Sequence, residues 1–386
     1  MPLFMDFHKI DNVTIEDVKT AHIADKAIQN QFGVRYHQFW VNQEAGTVFC
    51  LMEGPDAKTC EKVHQMAHGN IACALTEVEP GFYEKMMGSG HKIVQGHVQH
   101  EDGTTDTGYR TIVITAITGI TNATSSKQFC EFKQPSWARE VAHQNIYTCN
   151  GRALKWEIDD SIIAVFDDPG VAVAYARKTQ EELQNKKGIK PDIIFRIGIS
   201  TAQPVTADGD FFKQSIKLAH RLCMIAAAGQ IVTSSLMAKL SNHEQPSKGD
   251  ISVKSLNFKE EDFISTLITV VEKKIGDEHF NLNSLSAEVC VSRPQLYRKI
   301  IKLTGLSPND FIRDLRMNKA LSMLKEQKLN ISEVAYETGF SSPAYFSRCF
   351  AEKFGVTPSV FLKRSLMLLM CFTKQLLGDV VSYMGA

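Results

Sequence analysis

SRPQLYRKIIKLTGLSPNDF, residues 292–311, and SPAYFSRCFAEKFGVTPSVF, residues 342–361, are one pattern written twice at a spacing of 50 residues. Ser292 aligns with Ser342, Arg298 with Arg348, Gly305 with Gly355, Pro308 with Pro358 and Phe311 with Phe361, which predicts two copies of one helical unit. Each copy follows a short helical pattern, SLSAEVC at 284–290 and ISEVAYETG at 331–339, and a tight turn, and its second helix opens at a capping serine. Leu296 and Ile300 in the first copy, and Phe346 and Phe350 in the second, are four apart and define a buried stripe. At 100° per residue, Arg298 and Arg348 sit about 200° from Leu296 and Phe346 and point away from the core. Such a unit is a helix-turn-helix, whose second helix enters a major groove. The candidate DNA-contacting residues are Arg293, Gln295, Arg298 and Lys302 in the first copy and Ala344, Tyr345 and Arg348 in the second. Arg and Gln match purine edges, and an Arg serves a phosphate equally well. PNDFIRDLRMNKALSMLKEQ, 308–327, reads as the helix that spaces the two units.

Charge is distributed accordingly. The whole chain of 386 residues has a formal net charge of zero, yet 291–364 carries 13 basic against six acidic residues, a net of +7. Only that segment carries an electrostatic footprint for a polyanion. With 44% apolar and 22% charged side chains the chain can bury two or three cores. The N-terminus MPLFMDFHKI lacks a basic region followed by an apolar one, and LMLLMCF, 366–372, is far shorter than the ~20 residues of a membrane span. Nine scattered cysteines without a C-x-x-C pair suit reduced thiols, and the expected location is the cytoplasm, with no membrane partner. Two polar stretches, 86–108 and 241–250, read as linkers.

Residues 262–364 resemble the AraC-type DNA-binding domain through I-x-x-V-A-x-x-x-G-F (Ile331 to Phe340), Y-F-S-R-x-F (Tyr345 to Phe350) and F-G-V-T-P (Phe354 to Pro358). Leu362 departs from the basic residue common in that family, with Lys363 and Arg364 beside it. The resemblance implies a transcription regulator whose partners are double-stranded DNA and, in some members, RNA polymerase.

The middle segment, 109–241, resembles a class III nucleotide cyclase domain in RTIVITAITGIT, LKWEIDDSIIAVFDDPGVAVAYA, FRIGISTAQPV, IKLAHRL and AAGQIVTS. That family's chemistry needs two carboxylates holding two metal ions. Ala116 stands at the first carboxylate position and Asp160, beside Asp159, at the second; Lys217 stands at the ribose-orienting position, and the phosphate-steadying arginine is kept as Arg221. The expectation is a catalytically dead shape, with Asp159 and Asp160 a polar hairpin turn and Arg221 a structural ion-pair partner. Such domains dimerise, so the resemblance implies a homodimer.

The N-terminal segment, 1–85, alternates as βαββαβ: LFMDFHKI, TIEDVKTAHIADKAIQNQFG, VRYHQFWVN, GTVFCLMEG, DAKTCEKVHQMAHG and ACALTEVEP. That order is the ferredoxin-like sandwich. Eight of the chain's 12 histidines fall before residue 101. His64 and His68 are four apart on the second helix, His8 lies on the first strand, and His22 with Asp25 on one face of the first helix; Cys50 is on the third strand. As ordinary residues, His64 and His68 would form a helix end closed by Gly69; as ligands, the candidate metal set is His8, His22, His64 and His68, with His37 a weaker member. The segment resembles small ferredoxin-like nickel-binding proteins in M-D-x-H (Met5 to His8), A-H-x-x-D (Ala21 to Asp25), G-V-R-Y (Gly33 to Tyr36), Trp40, V-F-C-L (Val48 to Leu51) and V-H-x-x-A-H-G (Val63 to Gly69). Imidazole-rich sites suit several divalent transition metals, so nickel is what the resemblance implies.

The expected fold class is therefore multidomain, α+β and all-α: a ferredoxin-like domain over 1–85, a cyclase-like α/β domain over 109–241, an all-α double helix-turn-helix domain over 255–364 and a tail over 365–386, read as an extra packed helix. The expected function is a DNA-binding transcription regulator, not an enzyme, controlled by a metal ion or small-molecule effector. The rivals are a nucleotidyl cyclase with a DNA-binding tail, opposed by Ala116 and Lys217, and a metal-storage or trafficking protein, opposed by the duplicated DNA reader.

Overall fold

Alternation of side chains along three strands organises the first half of the molecule. In the computed structural model, which describes residues 1–120, 136–158, 161–185, 192–240 and 253–363, β1 (Leu3–Lys9), α1 (Ile15–Ile28), β2 (Arg35–Asn42), β3 (Thr47–Glu53), α2 (Ala57–Ala67) and β4 (Ala74–Val78) follow the βαββαβ order. α1 starts at a capping box between Thr14 and Asp17, and α2 at Asp56, which caps the Thr59 amide. Phe4, Tyr36, Phe39, Val41, Val48, Cys50 and Met52 face the two helices. Met5, Phe7, Trp40, Phe49 and Leu51 face the other way.

That second face is covered from within the chain. After α3 (Pro80–Met87), the stretch read as a linker forms a hairpin, β5 (Lys92–Val94) and β6 (His97–Gln99). It joins the first sheet in the order β4-β1-β3-β2-β6-β5 through a parallel pairing of Phe39 with His97. The apolar period is weak there because the hairpin is only three residues a strand, and its burial comes from contacts distant in sequence. A second sheet follows, built of β7 (Arg110–Ile120), β8 (Arg152–Ile158), β9 (Ser161–Phe166), β10 (Asp192–Ala202), β11 (Ile231–Thr233) and β12 (Val253–Ser255), in the order β12-β11-β10-β7-β9-β8. α4 (Ser136–Thr148) and α5 (Pro169–Asn185) cover one face. On the other face Ile112, Ile114, Ile163 and Val165 share one core with the outer side chains of the first sheet and with α6 (Lys213–Ile225). Two sheets packed face to face thus replace the solvent that an isolated ferredoxin-like sheet would meet.

A buried polar network crosses this junction. Arg110 is fully buried, donates to both Asp106 carboxylate oxygens at 2.9 and 2.8 Å and to the Met87 carbonyl, and lies 2.9 Å from Asp167. Trp40 Nε1 donates to Asp106, and Arg152 pairs with Asp167 while donating to the Lys85 and Met86 carbonyls. Arg152 and Arg110 therefore satisfy the open carbonyls at the end of α3.

α7 (Ser235–Leu240) closes the middle region, and α8 (Phe258–Lys273), α9 (Leu282–Glu288), α10 (Arg293–Thr304), α11 (Pro308–Glu326), α12 (Ile331–Glu337) and α13 (Pro343–Phe354) form the all-α part. The two units expected from the repeat are α9 with α10 and α12 with α13. α10 and α13 end alike at Gly305 and Gly355, with φ of 74° and 73°. Their starts differ: Ser342 accepts from the Tyr345 amide, whereas the Ser292 side chain makes no capping bond. The first core of this part includes Leu222 and Ile225 of α6, so it is continuous with the middle region. Asp159, Asp160, Arg364 and the 365–386 tail, and the roles expected of them, lie outside the described residues. Among the described residues no helix is long and apolar enough to cross a membrane.

Candidate metal centre and nucleic-acid interface

The sheet and helices of the first region converge on one cluster. Asp6 and His8 are two apart on β1 and so share the face turned to α1 and α2, where Cys50 of β3 and His64 of α2 meet them. One ligand-type atom from each of Asp6, His8, Cys50 and His64 lies within 4.8 Å of the others, and Asp25, His64 and His68 form a second such group. His64 links the two: its Nε2 is 2.7 Å from Asp6 Oδ2 and its Nδ1 3.2 Å from Asp25 Oδ1 and 3.2 Å from His68 Nε2. His8 Nε2 lies 3.1 Å from Asp6 Oδ2, and the Cys50 amide donates to Asp6 Oδ1 at 2.6 Å. A cavity of about 160 Å3 opens on His8, His22, Asp25, Cys50, His64 and His68.

Three of the four expected ligands, His8, His64 and His68, are thus within the two groups. His22 lines the same cavity, packed on Phe39 with ring centroids 5.2 Å apart, and neither of its ring nitrogens has a hydrogen-bond partner among the described residues. Gly96 of the hairpin covers it: a β-carbon there would lie 2.5 Å from the ring. His37 belongs to neither group, and its Nε2 lies 3.5 Å from Glu53. α2 closes as expected at Gly69, whose φ is 81° and whose amide, like that of His68 before it, donates to the His64 carbonyl. Asp6 and Cys50 were not among the expected ligands; the M-D-x-H spacing, which puts Asp6 on the face of His8, is the signal that points to Asp6.

Burial penalises every charge here, and the neighbours decide the outcome. Desolvation lowers the His64 pKa, but the carboxylates of Asp25 and Asp6 outweigh it and push the imidazole up to about 10. Burial raises Asp6, and His8 and His64 more than reverse this, leaving it well below the usual carboxylate range. Asp25 is lowered in the same way against its desolvation, by His64 and His68. Burial takes His22 down to about 4 and, with Asp6 and Asp25 nearby, holds the Cys50 thiol well above its ordinary value. Two buried carboxylates, several imidazoles, a thiol and an unpartnered neutral histidine form a mixed N, O and S donor set that fits a divalent transition metal.

At the other end of the chain the outward faces of α10 and α13 are open. Arg293, Gln295, Arg298, Ala344, Tyr345 and Arg348 are all exposed. Arg348 lies over the Tyr345 ring at 5.1 Å and 3.9 Å from Glu352. Lys302 is also exposed, but its Nζ is 2.8 Å from Glu260 of α8, so it is engaged within the protein. Tyr297 and Ile301, which the sequence reading passed over, are 46% and 40% exposed beside Arg298. Their positions on the helical wheel are the signal that finds them.

The positions that carry cyclase chemistry have other duties. Arg221 donates to the Ser265 carbonyl, to Thr269 Oγ1 and to Glu272, and Lys217 lies 3.8 Å from the same Glu272. Both tie α6 to α8, as the expected structural role of Arg221 requires.

Residues 4–78 match the family described as nickel responsive protein SCO4226-like, and residues 285–364 match a helix-turn-helix domain family. The chain joins an SCO4226-like domain to an AraC-type helix-turn-helix domain. Among solved structures, SCO4226 from Streptomyces coelicolor A3(2) is 36% identical over 20% of this chain and 94% of its own, with a TM-score of 0.19. The adenylate/guanylate cyclase/hydrolase from Silicibacter pomeroyi is 25% identical over 36% of this chain and 84% of its own, with a TM-score of 0.29. Histidine kinase P4 of Formosa agariphila is 37% identical over 129 residues, 33% of this chain and 9% of that protein. The uncharacterized HTH-type transcriptional regulator YidL of Escherichia coli K12 is 34% identical over 101 residues, 25% of this chain and 34% of that protein. The chain therefore spans about a third or less of the length of these two curated relatives. The SCO4226-like domain contains the whole histidine and carboxylate cluster, and the AraC-type domain both outward-facing helices.

Proposed function

We propose that the protein is a transcription regulator that binds double-stranded DNA through α10 and α13 and responds to a divalent transition metal, with nickel the metal suggested by the SCO4226-like domain. The observation that carries the DNA half is the pair of equivalent arginines, Arg298 and Arg348, both exposed on the outward faces of duplicated helices. Arg293, Gln295, Ala344 and Tyr345 complete the reading faces, and Lys302 contributes only on leaving Glu260.

For the metal, His8, His64, Asp6 and Cys50 are the holding residues, with His68 and Asp25 behind His64 and His22 at the cavity wall. A divalent ion held by these residues would supply positive charge to offset the buried carboxylates. The protein's own residues orient one another: Asp25 sets the direction of His64 and His68, and the Cys50 amide holds Asp6. A homodimer, contact with RNA polymerase and a cytoplasmic location belong to this reading. The cyclase rival is opposed by Ala116 and by the engagement of Lys217 and Arg221 with Glu272.

Selection of bound sequences from a random duplex pool, run on the full chain with and without nickel, tests the proposal. Enrichment of a motif with two elements about one helical turn apart, altered in strength by nickel, is the expected result. Enrichment that ignores nickel removes the metal response, and no enrichment removes the regulator.

A further inference from the structure

A second cavity, of about 180 Å3, lies where the middle sheet meets the helix-turn-helix domain. Its floor is Ala116 of β7, Arg196 of β10 and Ser161 at the start of β9; its roof is Asp314 and Asn318 of α11 with Lys353 of α13. Arg196 and Ala116 are paired across the β10–β7 ladder, so the alanine methyl leaves open the space beside the arginine. Arg196 Nε is enclosed and has no hydrogen-bond acceptor among the described residues. An enclosed guanidinium nitrogen without an acceptor is a rare condition in a folded protein and calls for a partner. The guanidinium fork matches carboxylate and phosphate oxygens. The rest of the wall, including Ile194, Met224, Leu321 and Phe354, is largely apolar.

We infer that this cavity is an effector site for a small amphiphilic anion, a carboxylate or a phosphate monoester on an apolar body about the size of one aromatic ring. A cavity of ~150 Å3 holds a benzene ring, which sets the scale. The consequence for DNA follows from the roof. Lys353 lies in the last turn of α13 and donates to Asp314 Oδ1, the Asp314 carbonyl and Asn318 Oδ1 at 2.5, 3.0 and 2.6 Å, fastening α13 to α11. An anion on Arg196 sits beside this fastening and competes with Asp314 for the ammonium, which couples occupancy to the placement of the second reading helix. The inference deepens the regulator reading by naming an effector site, and it rests on that reading only for the effect on DNA.

Calorimetric titration of benzoate and of phenyl phosphate into the full chain tests it, with the two probes distinguishing the acid group preferred. Saturable binding of at least one probe at millimolar concentration or below is expected, weakened tenfold or more in Arg196→Met and in Ala116→Leu, which fills the space. Arg196→Lys, which keeps the charge and loses the fork, should fall between, and far-ultraviolet circular dichroism checks that each variant is folded. On probe addition, amide exchange in 343–354 should change in wild type and not in Arg196→Met. Failure of both probes to bind wild type, or equal binding by Arg196→Met, overturns the site. A chain that binds a probe but no DNA keeps the site and loses the regulator reading.

Discussion

Arg348→Ala separates a reading residue from a structural one by magnitude. The Arg348 side chain is 68% exposed, its ion pair with Glu352 spans 3.9 Å, and its guanidinium lies 5.1 Å from the Tyr345 ring centroid. An exposed pair of that kind contributes about 0 to 1 kcal/mol and an exposed cation over a ring about 0.5 to 1. Truncation therefore costs on the order of 1 kcal/mol of fold stability. If Arg348 meets a guanine edge with both nitrogens, its loss from the complex costs about 1 to 3 kcal/mol, a factor of roughly 5 to 150 in affinity. The binding loss should exceed the stability loss and be confined to the cognate site. Fluorescence anisotropy on a selected duplex and on duplexes changed one base pair at a time, over a range of salt, reads this out. A base contact relaxes specificity at one position, whereas a phosphate contact weakens all sequences alike and lowers the salt slope by about one. Arg298→Ala should behave in parallel at the other half of the motif. If Arg298→Ala and Arg348→Ala both bind every duplex like wild type, neither helix lies in a groove and the orientation argument fails.

His64→Ala should lower nickel affinity at least tenfold, about 1.4 kcal/mol, in calorimetric titration of the full chain, with His68→Ala and His8→Ala each weaker than wild type; unchanged affinity in all three would leave the cluster a structural ion-pair network. Burial raises the Asp106 carboxyl, but Arg110 outweighs it and holds the group down to about 2, so its contribution to stability, on the order of 2 kcal/mol, is complete above the ordinary value near 3.8 and is lost as pH falls through about 2. Asp106→Asn should remove that acid-side dependence and cost about 3 kcal/mol at neutral pH, seen in denaturant melts, because it strips Arg110 of its nearest charge. Gly339→Ala places a β-carbon 2.5 Å from the Ile275 carbonyl at a φ of 76°, and should destabilise the second helix-turn-helix by more than about 1 kcal/mol; a melting point equal to wild type contradicts this. Incubation with ATP or GTP and magnesium or manganese should give no cyclic nucleotide above background, and turnover abolished by Asp160→Ala would contradict the pseudo-enzyme reading.

Periodicity made the helix-turn-helix units legible, because a stripe at four-residue spacing and a glycine at a helix end depend only on neighbours along the chain. Leu296, Ile300, Phe346 and Phe350 are fully buried as that stripe requires, and Gly305 and Gly355 adopt the left-handed caps. The turn of the first unit is less legible: it passes through Cys290 at a φ of 52°, a conformation that residue type does not announce. In the N-terminal domain the strand and helix order was readable, and with it the gathering of His8, His64 and His68, since alternation on β1 and the four-residue step on α2 assign faces locally. Alternation along β1 puts Asp6 on the face of His8, whereas Cys50 was fixed as a member of the cluster only by the antiparallel packing of β1 with β3 and the seating of α2 on that sheet. The hairpin at 92–99 hid in a polar stretch because its partners, Phe39 and His22, lie more than 50 residues earlier. Sequence by itself determined the elements, their capped ends and the outward arginines, all products of short-range geometry. Which face meets which was decided in three dimensions: the sheet-on-sheet junction, the buried Arg110 and the Arg196 cavity under α13 arise where side chains far apart in sequence compete for one enclosed volume and one set of charges.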